Sequence, residues 1–355
     1  LGLTRVERLA LGAIVLLTAA AGVTRYASGV PSGVAFAFAI VAVLGLAWLV
    51  SFSVEHVGGH FGPSITGVLQ ATLGNLPEFF VVLFALQAGQ LVIAQTAILG
   101  SILVNALLVL GFVIVVGAHR AADGVMRFSS RLPNDTATLL LISTLIIILI
   151  GLSNSSHDPA SHHVRTISII GAVAILVVYV SWVVPYLRSG AQADGGAAPA
   201  AARLGMGTSI GLLIAAGAGS AFASDWFVHA LQPTISSLHI SKAFAGLVIV
   251  AIAGNGVEHV VGVVLAHRGQ SDLAISVVKN SVAQIAAFLY PAMVIVSVLL
   301  ATQLTFSLAP VYIGALAGTA IMVWQITGDG EATLFEGVAL IAAFVILAAV
   351  AAYGT

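Results

Sequence analysis

Eleven separate stretches of this chain run for about twenty residues with few charges or none, and that feature decides the fold class. A helix that crosses a bilayer needs about 20 mostly apolar residues. On that ruler spans are expected near 6–24, 33–53, 63–87, 91–117, 135–153, 165–187, 205–228, 242–266, 271–299, 305–326 and 332–353. Composition points the same way: 60% of the residues are hydrophobic and 7% charged, against roughly 25% charged in soluble domains. So few charges cannot cover a water-facing surface. The 37 glycines and 7% aromatic content suit close-packed helices in lipid. Arg5 and Arg8 ahead of the first run would also suit a signal peptide, but ten further runs follow, and it is read as a span. The expected fold is an all-α polytopic membrane protein.

The 12 basic and 13 acidic residues make no field for nucleic acid and no polybasic anchor. With no cysteine there is no disulfide and no thiolate metal site. The stretch Ser189 to Pro199 is rich in Gly and Ala without an apolar face, and reads as a flexible linker. The N-terminus and the even-numbered connections hold Arg5, Arg8, Arg120, Arg127, Arg131, Arg188, Arg203 and Arg268; the other side holds Arg25, Arg165 and Lys242. That bias places the N-terminus and the linker in the cytoplasm, and the expected host is a prokaryotic cell (inner) membrane.

An internal repeat organises the rest. Gly74-Asn75-Leu76-Pro77-Glu78 in the third span recurs 180 residues later as Gly254-Asn255-Gly256-Val257-Glu258 in the eighth. The same offset carries Gly89-Gln90 onto Gly269-Gln270 and Ser101 onto Ser281. Five spans separate the two copies, so the second enters the membrane from the opposite side, as in secondary transporters built from inverted repeats. The expected organisation is a leading helix (1–30), a first five-helix repeat (31–187), a cytoplasmic linker (188–204) and a second five-helix repeat (205–355).

Glu78 and Glu258 lie well inside apolar stretches, where each ionisable group costs on the order of 2.5–3.5 kcal/mol. Asn75 and Asn255 stand one turn before them on the same faces. Gly74 with Pro77, and Gly254 with Gly256, are expected to break the two helices and expose carbonyls, the hard oxygen ligands that calcium prefers. The following spans add Ser101 with Asn105 and Ser281 with Gln284, each pair on one face, and Thr72 and Gln95 join the candidate shell. All are oxygen donors, which favours a hard cation over zinc or copper. The plain alternative is that Gln95, Thr72 and Asn105 only hydrogen-bond neighbouring helices; two symmetric glutamates with their asparagines are harder to explain that way.

The stretch 66–111, with Gly74-Asn75-x-x-Glu78, Gln95 and Gly100-Ser101-Ile102-Leu103-Val104-Asn105, resembles the first α-repeat of calcium/proton exchangers. The stretch 246–291, with Gly254-Asn255-x-x-Glu258-His259, Asp272-Leu273-Ala274 and Gln284-Ile285-Ala286, resembles their second. These exchangers belong to the cation/calcium antiporter superfamily; Gly-Asn with Glu-His resembles its proton-coupled branch, while Pro77 before Glu78 slightly resembles the sodium-coupled one. The resemblance implies that Glu78 and Glu258 are the paired cation-binding and proton-carrying carboxylates. Asn75, Asn255, Ser101, Ser281 and Gln284 would support them, with Gly74, Gly254 and His259 in the motifs themselves. Asn280-Ser281-Val282 departs from the family's usual Gly-Ser-Ser, and the linker lacks the acidic helix of many relatives. Lys279 is also unusual. It lies about 140° around the helix from Gln284, which points it away from the site, either to snorkel or to pair with Asp272.

Other polar groups rank lower. His157, His162 and His163 with Asp158 read as a hydrated loop, Glu55-His56 with His60 as a span end, Asp225 as a candidate entry residue and Glu336 as interfacial. Two carboxylates in a low-dielectric midplane cannot both stay bare and ionised. Either one divalent cation or protons must neutralise them, and a site that holds one or the other is an antiporter. The transported Ca²⁺ and H⁺ are then the only ions called for, with no further cofactor and no obligatory protein partner besides the lipid bilayer. The chain is not expected to be an enzyme. Alternatives are sodium coupling, another cation (Mn²⁺, Na⁺ or K⁺), or an uncoupled channel.

Overall fold

Capping chemistry marks the first and last helices. The Thr4 hydroxyl accepts the Glu7 N–H at 3.2 Å while the Glu7 carboxylate accepts the Thr4 N–H, and Thr333 with Glu336 repeats the arrangement. The computed structural model describes residues 2–61, 66, 69, 70, 72–193 and 203–354. Its helices are α1 (Arg5–Tyr26), α2 (Ser32–Gly58), α3 (Leu76–Gln87), α4 (Leu91–Arg120), α5 (Arg131–Ser155), α6 (Val164–Ala193), α7 (Met206–Leu238), α8 (Lys242–His267), α9 (Ser271–Ser297), α10 (Pro310–Thr327) and α11 (Leu334–Tyr353). Among the described residues ten helices are long and apolar enough to cross a membrane, and the 12-residue α3 is a shorter apolar one. The chain is an all-α, multi-pass integral membrane protein.

Two compact units divide it. The first gathers the described residues of Leu1–Ala88, Ser181–Ile240 and Ala253–Asn255: α1, α2, α3, the end of α6, α7 and three residues of α8. Here α2 packs on α7, with the Phe36 and Phe227 rings 5.0 Å apart and Leu46 filling the space beside Gly219. The second unit holds Gly89–Val180, Ser241–Ile252 and Gly256–Thr355. Its core is α4, whose Ile98, Leu99, Ile102, Leu103 and Leu110 are fully buried. Where α4 crosses the start of α8, a Cβ on Gly100 would strike the Leu247 carbonyl and one on Gly246 would strike the Thr96 hydroxyl. Only small residues let two backbones approach so closely.

Several elements differ from expectation. α7 continues ten residues past 228, through Pro233, to Leu238. α6 stays helical to Ala193, inside the expected linker, because Ala191-Gln192-Ala193 are strong helix formers. The rest of that linker, 194–202, and most of the start of the third span lie outside the described residues. α10 begins at Pro310 rather than near 305. Leu304, Phe306 and Leu308 are buried in alternation with Thr305 and Ser307, the period of an extended segment. Side chains hold it: Ser297 accepts the Leu304 N–H at 2.9 Å, and Ser168 accepts the Phe306 N–H at 3.2 Å. A short antiparallel pair also joins two loops, β1 (Val125–Arg127) with β2 (Glu331–Thr333), Met126 facing Ala332.

The 180-residue register is visible in the backbone. Ala88 and Arg268 have φ/ψ of −78°/5° and −82°/0°; Gln90 and Gln270 have −92°/61° and −90°/61°. Between them Gly89 and Gly269 take φ of 71° and 76°, the left-handed region that glycine enters without strain. Just beyond, α4 and α9 loosen into π-helical turns at Val104–Val109 and Ile285–Leu289, again at matching positions. π-turns of this kind recur at functional sites.

Candidate cation site

In the first unit the helix is broken where the motif expects it. Gly74 and Asn75 form a turn, with the Gly74 N–H donating to the Gln70 carbonyl at 2.9 Å, and a Cβ on Gly74 would crowd that carbonyl at 2.5 Å. Asn75 takes the N-cap position of α3 without a side-chain bond to the helix end, Pro77 occupies its first turn, and Glu78 follows. Proline suits that position because its missing N–H would have no helical partner there. Glu78 is 3% exposed and sits at the positive end of the helix dipole. Two further elements close around it. Ser224 of α7 donates its hydroxyl to the Pro77 carbonyl at 3.3 Å. From α8, Gly254 turns its bare Cα toward Glu78, so that a Cβ there would lie 3.9 Å from the Glu78 Cβ. Asn255, the next residue, is buried as well.

The second motif is folded differently. Gly254 and Gly256 lie inside the uninterrupted helix Ala251–His267, and the break expected there is absent. Glycine in a helix interior costs only about 1 kcal/mol relative to alanine, which packing readily offsets. The irregularity sits one turn earlier, as the π-turn Ala245–Val250. Glu258 therefore occupies mid-helix, four residues beyond Gly254 on the same face of α8.

In the second unit Ser281 is the polar side chain beside the Glu258 carboxylate, whose Oε2 is buried. Asn105, on the π-turn of α4 against which α9 packs, donates Nδ2 to the Ser101 carbonyl at 3.0 Å and leaves Oδ1 buried and unpaired. Asn280 Oδ1 and His259 Nε2 are in the same condition. Buried polar atoms without partners are costly. Ser101 is fully buried, and Gln284 ends the regular part of α9 immediately before its π-turn.

Other candidates are engaged elsewhere. Gln95 donates Nε2 to the Ser307 carbonyl at 2.9 Å, anchoring the extended segment, and Thr72 is exposed, donating to the Leu69 carbonyl. Lys279 neither snorkels nor pairs with Asp272. It is 1% exposed and donates to the Thr327 hydroxyl at 3.2 Å, while Asp272 accepts the Ser129 N–H at 2.6 Å. His60 bonds the Leu204 carbonyl, and Asp158 caps the short 3₁₀ turn Pro159–His163. Ser224 escaped the sequence reading, although its spacing from Ser220 puts two buried hydroxyls on one face of an apolar helix.

Known proteins share this architecture. The model of the sodium/calcium exchanger protein family matches residues 31–186 and 208–353. The vacuolar calcium ion transporter of Schizosaccharomyces pombe is 31% identical over 325 residues, covering 88% of this chain and 77% of that protein. The Ca²⁺/H⁺ antiporter ChaA of Bacillus subtilis is 30% identical over 328 residues, covering 90% and 92%. The structure of native YfkE superimposes with a TM-score of 0.78 at 27% identity, over 96% of this chain and 99% of that one. With the family match spanning both halves of the sequence, the chain belongs to the calcium/proton exchanger family of the cation/calcium antiporter superfamily.

Proposed function

We propose that this protein exchanges cytoplasmic Ca²⁺ for protons by alternating access, with Glu78 and Glu258 as the carboxylates that hold one or the other. The observation that carries the reading is the approach of Gly254 to Glu78, since it brings the second copy of the motif against the carboxylate of the first. Glu258 stands on the same face of α8. Two desolvated carboxylates repel each other when bare, so a divalent cation or protons must neutralise them, and the two loads exclude one another. Asn75, Asn255, Ser101, Ser281, Asn105 and Gln284 would complete the oxygen set, with His259 beside it. Support also comes from the relative in Bacillus subtilis, a Ca²⁺/H⁺ antiporter by name, and from the family model's match to two separate stretches. Those stretches suit two repeats of inverted topology, entered from a cytoplasmic N-terminus in a prokaryotic cell membrane.

The test is calcium uptake into sodium-free proteoliposomes with an acid interior. Uptake that collapses with the pH gradient, and that Glu78→Gln and Glu258→Gln each abolish, is expected. Full exchange in either variant would sink the assignment. Pro77 beside Glu78 gives the sodium-coupled reading its one foothold. Uptake driven only by a sodium gradient would select that reading.

A further inference from the structure

In the first unit α1, α2 and α7 line a cavity of about 170 Å³, roughly ten times the ~10–15 Å³ that one water needs. Its polar lining among the described residues is Thr24, Arg25, Ser32, Trp226 and His229, with no carboxylate among them. Arg25 Nε and Trp226 Nε1 are both buried without a hydrogen-bond partner. Each can only donate, so the missing partner is an acceptor, and the permanent guanidinium charge makes an anion the fitting one. A cationic residue in the last turn of α1 also suits the helix dipole. That accounts for Arg25 but not for a second orphaned donor on another helix.

Depth narrows the chemistry. Arg25 is next to last in the 22-residue α1, which at 1.5 Å per residue spans about 33 Å, close to the hydrocarbon thickness. The cavity, reaching on to Ala27, Val30 and Ser32, therefore lies at headgroup level. Tyr26, 74% exposed, holds the guanidinium over its ring at 5.2 Å from the centroid. At that depth the abundant tetrahedral anion is phosphate, which accepts hydrogen bonds from several directions at once. We propose that this cavity binds a phosphate oxyanion, with Arg25 and Trp226 as its donors, supplied either by a phospholipid headgroup or by free phosphate.

The experiment uses the full chain in mild detergent. Native mass spectrometry would count retained phosphatidylglycerol, and a parallel titration with inorganic phosphate would follow thermal unfolding. Trp226→Phe keeps an aromatic ring against Gly22 and removes only the N–H; Arg25→Gln removes the charge. Binding weakened by about tenfold or more in both variants supports the proposal. Retention of lipid that inorganic phosphate does not displace identifies the headgroup as the source. Displacement or stabilisation by inorganic phosphate identifies the free anion. Should both variants hold lipid and phosphate as tightly as the parent, or should the parent bind neither, the proposal fails.

Discussion

Gly254 leaves a gap on α8 that faces the side chain of Glu78, whose Cβ lies 3.9 Å from the position where a Cβ would stand on the glycine. That distance is ordinary van der Waals contact, so the space admits a methyl group and little more. Gly254→Ala should fold normally and gain about 0.5–1 kcal/mol from helix propensity. Gly254→Leu should retain the fold in size-exclusion chromatography while losing calcium exchange, because its branches must displace the carboxylate. Full exchange by the leucine variant would show that this approach has no part in transport.

Gly100 is expected to be less forgiving. A Cβ there meets the Leu247 carbonyl, a piece of backbone that cannot swing aside. Gly100→Ala should cost about 1–3 kcal/mol through overpacking, and Gly100→Val should abolish the folded peak. Thermal unfolding in detergent reads both.

Lys279 and Thr327 make a buried pair with no carboxylate in it. Thr327→Val removes the acceptor and should lower stability by about 1 kcal/mol. Lys279→Met keeps most of the volume and removes the desolvated amine, so it should be neutral or stabilising. A loss of stability in Lys279→Met equal to that in Thr327→Val would show that the ammonium has another essential contact.

Arg127 beside Asp123 holds the aspartate below its ordinary value of 3.8, chiefly through their side-chain hydrogen bond, with the Val125 N–H adding to it. A lowered carboxylate contributes stability that is present above its unfolded value and lost as pH falls through the folded one. The β1–β2 pair should therefore keep its amide protection at neutral pH and lose some of it below pH ~4. Both side chains are about half exposed, so the effect should shrink with added salt. Hydrogen exchange at Met126 and Ala332 measures it, and Asp123→Asn should abolish the pH dependence.

Hydropathy alone located the helices, because a twenty-residue apolar run has few structural alternatives. Its errors are physical in origin. The segment 304–308 is apolar enough for a span, and only its alternation of buried and half-buried residues betrays an extended segment. β1 and β2 are three residues each and exist only because residues some 200 positions apart meet. The twin Gly-Asn-x-x-Glu motifs suggested twin helix breaks. Pro77 makes the first decisive, whereas Gly254 and Gly256 lack such a partner and stay helical. The π-turns have no signature that a single sequence displays. Ser224 has no sequence signal of its own, because a lone serine in a membrane helix usually bonds its own backbone, and here it reaches Pro77.

The length of α7 has a consequence of its own. Thirty-three residues make a rod of about 50 Å, set against roughly 30 Å of hydrocarbon. Such a rod leans, protrudes or thickens the lipid around it, and the balance shifts with acyl-chain length. Ser224, a little past its middle, donates to the carbonyl at the root of the Glu78 helix. A change of membrane thickness would therefore reach, through the tilt of this rod, the hydroxyl that holds the Pro77 carbonyl.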